Sequence, residues 1–254
     1  MAPTVRFWRS LASLLAVSAS SSVEGQPIPT STRRQRRAVS PDLFRPCVVG
    51  KGVEPVNASI IYYSATGNVH ALARAAAEGA DKAGAEVRLR KVRERAPQTA
   101  IDANPAWVRH RQETADVPDA TIDDIAWADV VLFGTPTRFG TPASQLTAFI
   151  ESAGPLWREG GLADKVYSAF MAGSTAHGGQ ESTLLALGHV FHHWGGIIVP
   201  PGYTDPIQFR TGNPYGASHV AGGGPPDDVT LEAARYQARR AVATAAALKT
   251  SRAA

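Results

Sequence analysis

From about residue 58 onward, short apolar runs alternate with stretches whose apolar positions recur every three or four residues. Ser59–Tyr63 reads as a buried strand, and it runs straight into small residues, Ser64-Ala65-Thr66-Gly67-Asn68-Val69. Leu72, Ala73, Ala76, Ala77 and Ala80 then recur at helical spacing, which predicts a helix from about His70 to Lys82, stopped by Gly84. Glu86-Val87-Arg88-Leu89-Arg90-Lys91-Val92 alternates polar and apolar, as a strand with one polar face does at a sheet edge. The stretch 93–120 carries Pro97, Pro105 and Pro118 and reads as a long connection, which in a compact domain is usually functional or disordered. Thr121–Trp127 reads as a short capped helix and Val130-Val131-Leu132-Phe133 as a buried strand, followed by a helix from about Ala143 to Ser152. Lys165–Met171 is the next strand, with a helix running to about Trp194, and Gly196–Val199 is the last. A Gly/Pro-rich excursion fills 200–226, and a final helix rich in Ala and Arg starts at Asp228 and reaches about Leu248.

Five strands alternating with helices predict an α/β fold, a doubly wound five-stranded parallel sheet. In the order 2-1-3-4-5, ligands bind at the carboxyl ends of strands 1 and 3. The Gly- and hydroxyl-rich turns follow strands 1, 3 and 4, so three unrelated loops are expected to converge on one crevice. The first of them opens a helix, where unpaired N–H groups and the positive dipole end attract a phosphate. Ser64, Thr66 and Asn68 offer side-chain partners there, and no Lys or Arg lies in the turn. Such a loop holds a phosphate by hydrogen bonds and not by salt bridges.

Charge is unevenly spread. Residues 1–55 hold 8 of the 26 Lys and Arg and 3 of the 22 Asp and Glu, which leaves 18 against 19 for residues 56–254. The larger part is near neutral and offers no broad basic face for nucleic acid. Residues 1–55 do not read as a domain. Leu11–Ala19 follows Arg6 and Arg9 in the outline of an export signal, but it is short, broken by Ser13 and Ser18, and too short to span a membrane. Residues 1–55 are expected to be either a disordered tail or an untranslated extension; a start near Val53 from a codon other than Met is favoured over export, and the expectation is a cytoplasmic protein whose working domain is 56–254. Cys47 is the only cysteine, so no intrachain disulfide or cysteine-based metal site is expected.

Several chemistries are set aside by motif. There is no G-x-x-x-x-G-K-[ST], no G-x-G-x-x-G and no G-x-S-x-G elbow. His189, His192 and His193 share a helix, but no H-E-x-x-H accompanies them, and a metal site is not expected.

Residues from about 58 to 250 resemble the WrbA family of flavodoxin-like NAD(P)H:quinone oxidoreductases. The residues that carry the resemblance are Tyr62-Tyr63-Ser64, Gly134-Thr135-Pro136-Thr137-Arg138-Phe139-Gly140, Gly154-Pro155-Leu156-Trp157, Gly178-Gly179-Gln180-Glu181, His192-His193, and Asn213-Pro214-Tyr215-Gly216-Ala217 with Ala221-Gly222-Gly223. The resemblance implies FMN as cofactor, with the phosphate in the loop Ser64, Ala65, Thr66, Gly67, Asn68, Val69. It places Pro136, Thr137, Arg138, Phe139, Gly140 and Thr141 at the flavin ring. Gly173, Ser174, Thr175, Ala176, His177 and Gly178 supply the third loop. His193 is implied at the ring, stabilising charge on reduced flavin, and Trp157 as the wall of the substrate pocket over its open face. Two departures stand out: Thr66 occupies the place of a Tyr that better-known members use toward nicotinamide, and the 96–120 loop, with Asn104-Pro105-Ala106-Trp107 followed by His110, Arg111 and Glu113, is unlike that of those members and is expected at the pocket rim or a subunit contact.

The resemblance further implies a two-electron ping-pong reaction, in which NADH or NADPH reduces FMN and a quinone is then reduced to hydroquinone. No protein nucleophile is required. A flavodoxin-type electron carrier is the alternative. Its usual acidic docking face is not evident in a near-neutral domain. The resemblance also implies a homotetramer with sites near subunit contacts, acting on small molecules without stable membrane insertion.

Overall fold

The computed structural model describes residues 55–253. The expectations placed on residues 1–54, including the signal-like stretch, the start near Val53 and Cys47, lie outside the described residues.

The sheet is built around β1 (Asn57–Tyr62), which pairs in parallel with β2 (Glu86–Lys91) on one side and β3 (Val130–Arg138) on the other. Next come β5 (Val166–Gly173), parallel to β3, and the short β6 (Ile197–Ile198). The five parallel strands therefore stand in the expected order, with β2 at one edge. Two further strands make the sheet seven-stranded. One is β4 (Thr141–Pro142), which turns back antiparallel on the end of β3. The other is β7 (Ser218–Val220), from the 200–226 excursion. Because β3 occupies one side of β5, β6 and β7 share the other: β6 pairs with Val166 and Tyr167, and β7 with Met171, Ala172 and Gly173. The excursion thus interrupts the outermost strand and returns to complete it.

Alternation along the strands divides the core in two. Ile60, Tyr62, Leu132 and Phe170 face α1 (Asn68–Lys82) and α9 (Asp228–Ala253). Ile61, Tyr63, Val131, Phe133 and Tyr167 face the opposite layer, which includes α4 (Ile122–Trp127), α5 (Ser144–Glu151) and α7 (Gln180–His193). The alanines of α1 and α9 let these two helices pack closely: a Cβ on Gly79 would stand 2.3 Å from the Arg235 carbonyl. The polar face of β2 is covered as well, since Arg90 and Arg88 reach the buried Asp124 at 3.0 and 3.4 Å. That carboxylate also accepts the Thr121 N–H at 3.0 Å, closing the capping box that starts α4.

The stretch 93–120 differs from the expected loop. It holds α2 (Gln98–Asp102) and α3 (Pro105–Glu113). Two of its three prolines mark helix starts: Pro97 precedes α2, and Pro105 opens α3 behind Asn104, whose side chain accepts from the Ala106 and Trp107 N–H groups. The same chemistry opens α6 (Gly154–Arg158) with Pro155 and α8 (Pro206–Thr211) with Pro206. Among the described residues, no helix is long and apolar enough to cross a membrane.

Candidate active site

Three loops leave the carboxyl edge of the central strands. The first joins β1 to α1. Its tight turn is held by the Gly67 N–H donating to Ser64 Oγ at 3.1 Å. Gly67 sits at φ 101 and precedes a 15-residue helix that has neither a side-chain cap nor an acidic residue in its first turn. The leading N–H groups of α1 are therefore left for a partner from outside the loop. A phosphate would supply the acceptors and the negative charge that this end of the helix lacks. Ala65 and Val69 are buried beneath the turn, Thr66 is exposed, and Ser64, Gly67 and Asn68 are half-buried.

The second loop turns from β3 into β4. Thr137 pairs with Pro142 and Arg138 with Thr141, so Phe139 and Gly140 are the two turn residues. Both have positive φ, 53° and 79°, as a hairpin turn of this length requires. Phe139 is at 105% relative exposure, and an aromatic side chain fully in solvent on a left-handed backbone is held there against its own preference. Arg138 is exposed, and its charge reaches Tyr63.

The third loop follows β5. Gly173 is buried at the strand end, while Ser174, Thr175, Ala176 and His177 are exposed and Gly178 is half-buried. Gly179, at φ 95, precedes α7, again without a side-chain cap. Two contacts lock this loop to the second. A Cβ on Gly179 would lie 2.7 Å from the Gly140 Cα, and one on Gly173 would lie 3.1 Å from the Thr137 methyl. Thr183 and Ser182 of α7 add hydrogen bonds to Thr137 Oγ1 (2.9 Å) and the Gly140 carbonyl (3.0 Å). The buried Gln180 donates to the Thr175 carbonyl at 2.6 Å, and its Oε1 has no hydrogen-bond partner among the described residues. The three loops expected from the sequence are thus brought to one edge of the sheet, two of them in direct contact. Uncapped helix starts, a close-packed glycine pair and an orphaned buried oxygen form a cradle that fits FMN.

Trp157 and His193 do not belong to the crevice of their own chain. His193 is the last residue of α7, which starts at the crevice and runs its 14 residues, about 20 Å, to the amino edge of the sheet. There Gly195 accepts the Asp164 N–H just ahead of β5. Trp157 lies beside His193, its indole N–H donating to the His193 carbonyl at 3.2 Å. It stands in the short helix α6 and not on a loop, at 55% relative exposure.

Sequence reasoning missed residues next to the first loop. His70 Nδ1 is 2.6 Å from the Tyr62 hydroxyl, and its ring centroid is 5.4 Å from that of the buried His110. His110 Nδ1 in turn lies 3.5 Å from where a Gly67 Cβ would be. Burial, then the neighbouring His110 and Arg74, lower the His70 pKa to about 4, so it is neutral at pH 7. Glu94, Trp107 and Gln145 form a second cluster around Tyr63. No motif announces these residues, because they meet only when the 93–120 connection folds over the end of β1.

The model of the family described as NADPH-dependent FMN reductase matches residues 60–206. An NAD(P)H dehydrogenase (quinone) of Deinococcus radiodurans is 47% identical over 195 residues, covering 76% of this chain and 98% of that protein. A protein of the same name from Geotalea uraniireducens is 41% identical, covering 74% and 97%. Among solved structures, a flavodoxin described as WrbA-like, from Agrobacterium tumefaciens, superposes with a TM-score of 0.53 at 24% identity, over 75% of this chain and 97% of that one. That likeness supports the fold, and the two relatives and the matched model carry the family. The chain belongs to the NADPH-dependent FMN reductase family and, within it, to the flavodoxin-like NAD(P)H:quinone oxidoreductases.

Proposed function

We propose that the protein binds FMN at the three-loop edge and reduces quinones to hydroquinones with NADH or NADPH as reductant. The observation that carries this reading is the uncapped start of α1 behind Gly67, flanked by the two interlocked loops. Residues Ser64–Val69 would hold the phosphate through backbone N–H groups and the Ser64, Thr66 and Asn68 side chains. Residues Pro136–Thr141 and Gly173–Gly178 would line the ring. FMN, when bound, supplies the two-electron exchange between reductant and quinone. The chain's own residues bind and orient it, and the exposed Phe139 and Arg138 stand where planar, charged substrates approach.

Trp157 and His193 serve this chemistry from a second subunit. Both are exposed, they are joined to each other, and they stand about 20 Å from their own crevice. In the homotetramer we propose, the pair closes a neighbour's crevice, with Trp157 as the aromatic wall. The functional unit is the domain 56–254, acting in the cytoplasm, where the pyridine nucleotides are. Quinone-dependent oxidation of NADH and NADPH by the FMN-loaded protein tests the reading. Turnover should fall at least about ten-fold in Trp157→Ala and His193→Ala, while FMN still binds. Mixing Trp157→Ala subunits with subunits carrying a defective phosphate loop (Gly67→Val) should restore activity in hybrid tetramers. Recovery fails if the pair acts on its own chain's flavin, and tight FMN binding without any pyridine nucleotide oxidation would make the protein a carrier.

A further inference from the structure

Glu94 lies three residues beyond β2, at the start of the 93–120 connection. Its carboxylate accepts five hydrogen bonds. Oε2 takes the Tyr63 hydroxyl and the Trp107 indole N–H, each at 3.0 Å. Oε1 takes the Gln145 side-chain amide at 3.0 Å and the Arg95 and Ala96 N–H groups at 2.8 and 2.9 Å. The Gln145 amide also donates to the Tyr63 hydroxyl at 3.0 Å, so Tyr63, Glu94 and Gln145 form a closed triangle.

The three side-chain donors come from three separate elements. Tyr63 is buried and immediately precedes Ser64, so it sets where the phosphate loop begins. Gln145 is the second residue of α5, the helix that directly follows the β3–β4 turn. Trp107 belongs to α3, which also presses His110 toward Gly67. Only an ionised carboxylate satisfies this set. It is acceptor-only with room for about four or more donors, whereas an amide in its place would turn two N–H donors toward donors. Burial alone would raise the Glu94 pKa, but the bonds from Ala96, Gln145, Arg95 and Tyr63 outweigh it and hold the group below the usual carboxylate range.

We propose that Glu94 is a positioning residue for the FMN site: it fixes the phosphate loop, through Tyr63, against the ring-side loop, through Gln145. The proposal rests on the assignment of those loops to FMN. It makes a prediction of sign that charge does not. Removing a negative charge near a dianionic phosphate would, by Coulomb's law, tighten FMN. Loss of positioning loosens it.

The test compares wild type, Glu94→Gln, Tyr63→Phe, the double variant and Trp107→Phe as apoproteins, each titrated with FMN and with riboflavin well below its melting temperature. Glu94→Gln should weaken FMN about ten-fold and Tyr63→Phe about five-fold. The double variant should be no more than about two-fold worse than Glu94→Gln, because the two act through one bond. Riboflavin, with no phosphate to lose, should weaken less, so selectivity for FMN falls; a general loss of structure would not change that ratio. Trp107→Phe removes a Glu94 donor on α3 but leaves the Tyr63–Glu94–Gln145 triangle whole, and should weaken FMN less than Tyr63→Phe does. A folded Glu94→Gln that binds FMN as wild type does, or more tightly, overturns the proposal. Where Glu94→Gln fails to fold, Tyr63→Phe decides alone: unchanged FMN affinity refutes the positioning role. Wild type failing to bind FMN would instead strike the loop assignment beneath it.

Discussion

The two edges of one sheet have been finished in opposite ways. At the amino edge, side chains close the backbone. Asp129 accepts the Asn57 N–H at 2.9 Å and the Lys249 ammonium at 2.8 Å. Lys165 covers the Ala126 and Ala128 carbonyls, and Asn57 covers that of Trp127. At the carboxyl edge, α1 and α7 both begin behind left-handed glycines without a side-chain cap. The loops there bond to one another and leave helix N–H groups open. Backbone donors carry the same energetic demand at either end. The end that leaves them unmet is the end where we propose a ligand that meets them.

The sharpest way to break this contrast is to spread the interlocked loops. Gly179→Ala puts an L residue at φ 95 and a Cβ 2.7 Å from the Gly140 backbone. The two effects together should cost about 3 kcal/mol, felt as a loss of FMN affinity of about a hundred-fold in a fluorescence titration. A matching cut at the other edge is Asp129→Ala. It strips a charge-assisted bond from the Asn57 N–H and unpairs Lys249, and should lower unfolding free energy by about 2 kcal/mol in urea. FMN affinity should stay within about two-fold. An Asp129→Ala protein that unfolds normally but loses FMN would show that the edges are not separable.

Acid should act on the crevice side. The His70 pKa is lowered in the fold to about 4, below the ordinary histidine value near 6.5 of the unfolded chain. The unfolded state therefore takes up the proton first as pH falls. The stabilisation is fully present above about pH 6.5 and is lost between there and about pH 4. With partial exposure allowed for, about 1.5 kcal/mol should disappear over that window. The groups that act on the His70–His110 pair are Arg74, Lys91 and Glu113, and burial lowers His110 as well, so His110 adds to the loss with the same sign. His70→Gln should flatten the profile of the apoprotein. An unchanged profile would remove the histidine from the account.

The strand order and the meeting of three loops at the carboxyl edge were legible in the sequence, because buried parallel strands are continuous apolar runs and their ends here are marked by Gly and hydroxyl residues. What escaped has two causes. Prolines 97, 105, 155 and 206 punctuate loops in a linear reading, yet in the folded chain they stand at or just before helix starts. That hid α2, α3 and α8 and set Trp157 on a loop. The second cause is distance along the chain. Tyr63, Glu94, Trp107 and Gln145 meet across as many as 82 residues, and no local pattern records such a meeting. Trp157 and His193 stand out as residues in any reading, but only the direction of α7 shows which edge they occupy.

Phe139 offers the smallest effect and the finest test of the contrast. Its left-handed φ of 53° costs an L residue roughly 1–2 kcal/mol, and its fully exposed ring recovers nothing by burial within the chain. Glycine takes that conformation freely, though it adds conformational entropy to the unfolded chain, roughly 0.5–1 kcal/mol. Phe139→Gly should therefore be slightly more stable than wild type, by about 0.5 kcal/mol, in thermal unfolding of the apoprotein. If the carboxyl edge keeps strain because the ring works there, quinone turnover should fall several-fold in the same variant. A gain in stability with turnover untouched would leave the strain without a use. A loss of stability would mean that the ring is buried in the assembly, and the tip of the hairpin would then belong to a subunit contact and not to the mouth of the crevice.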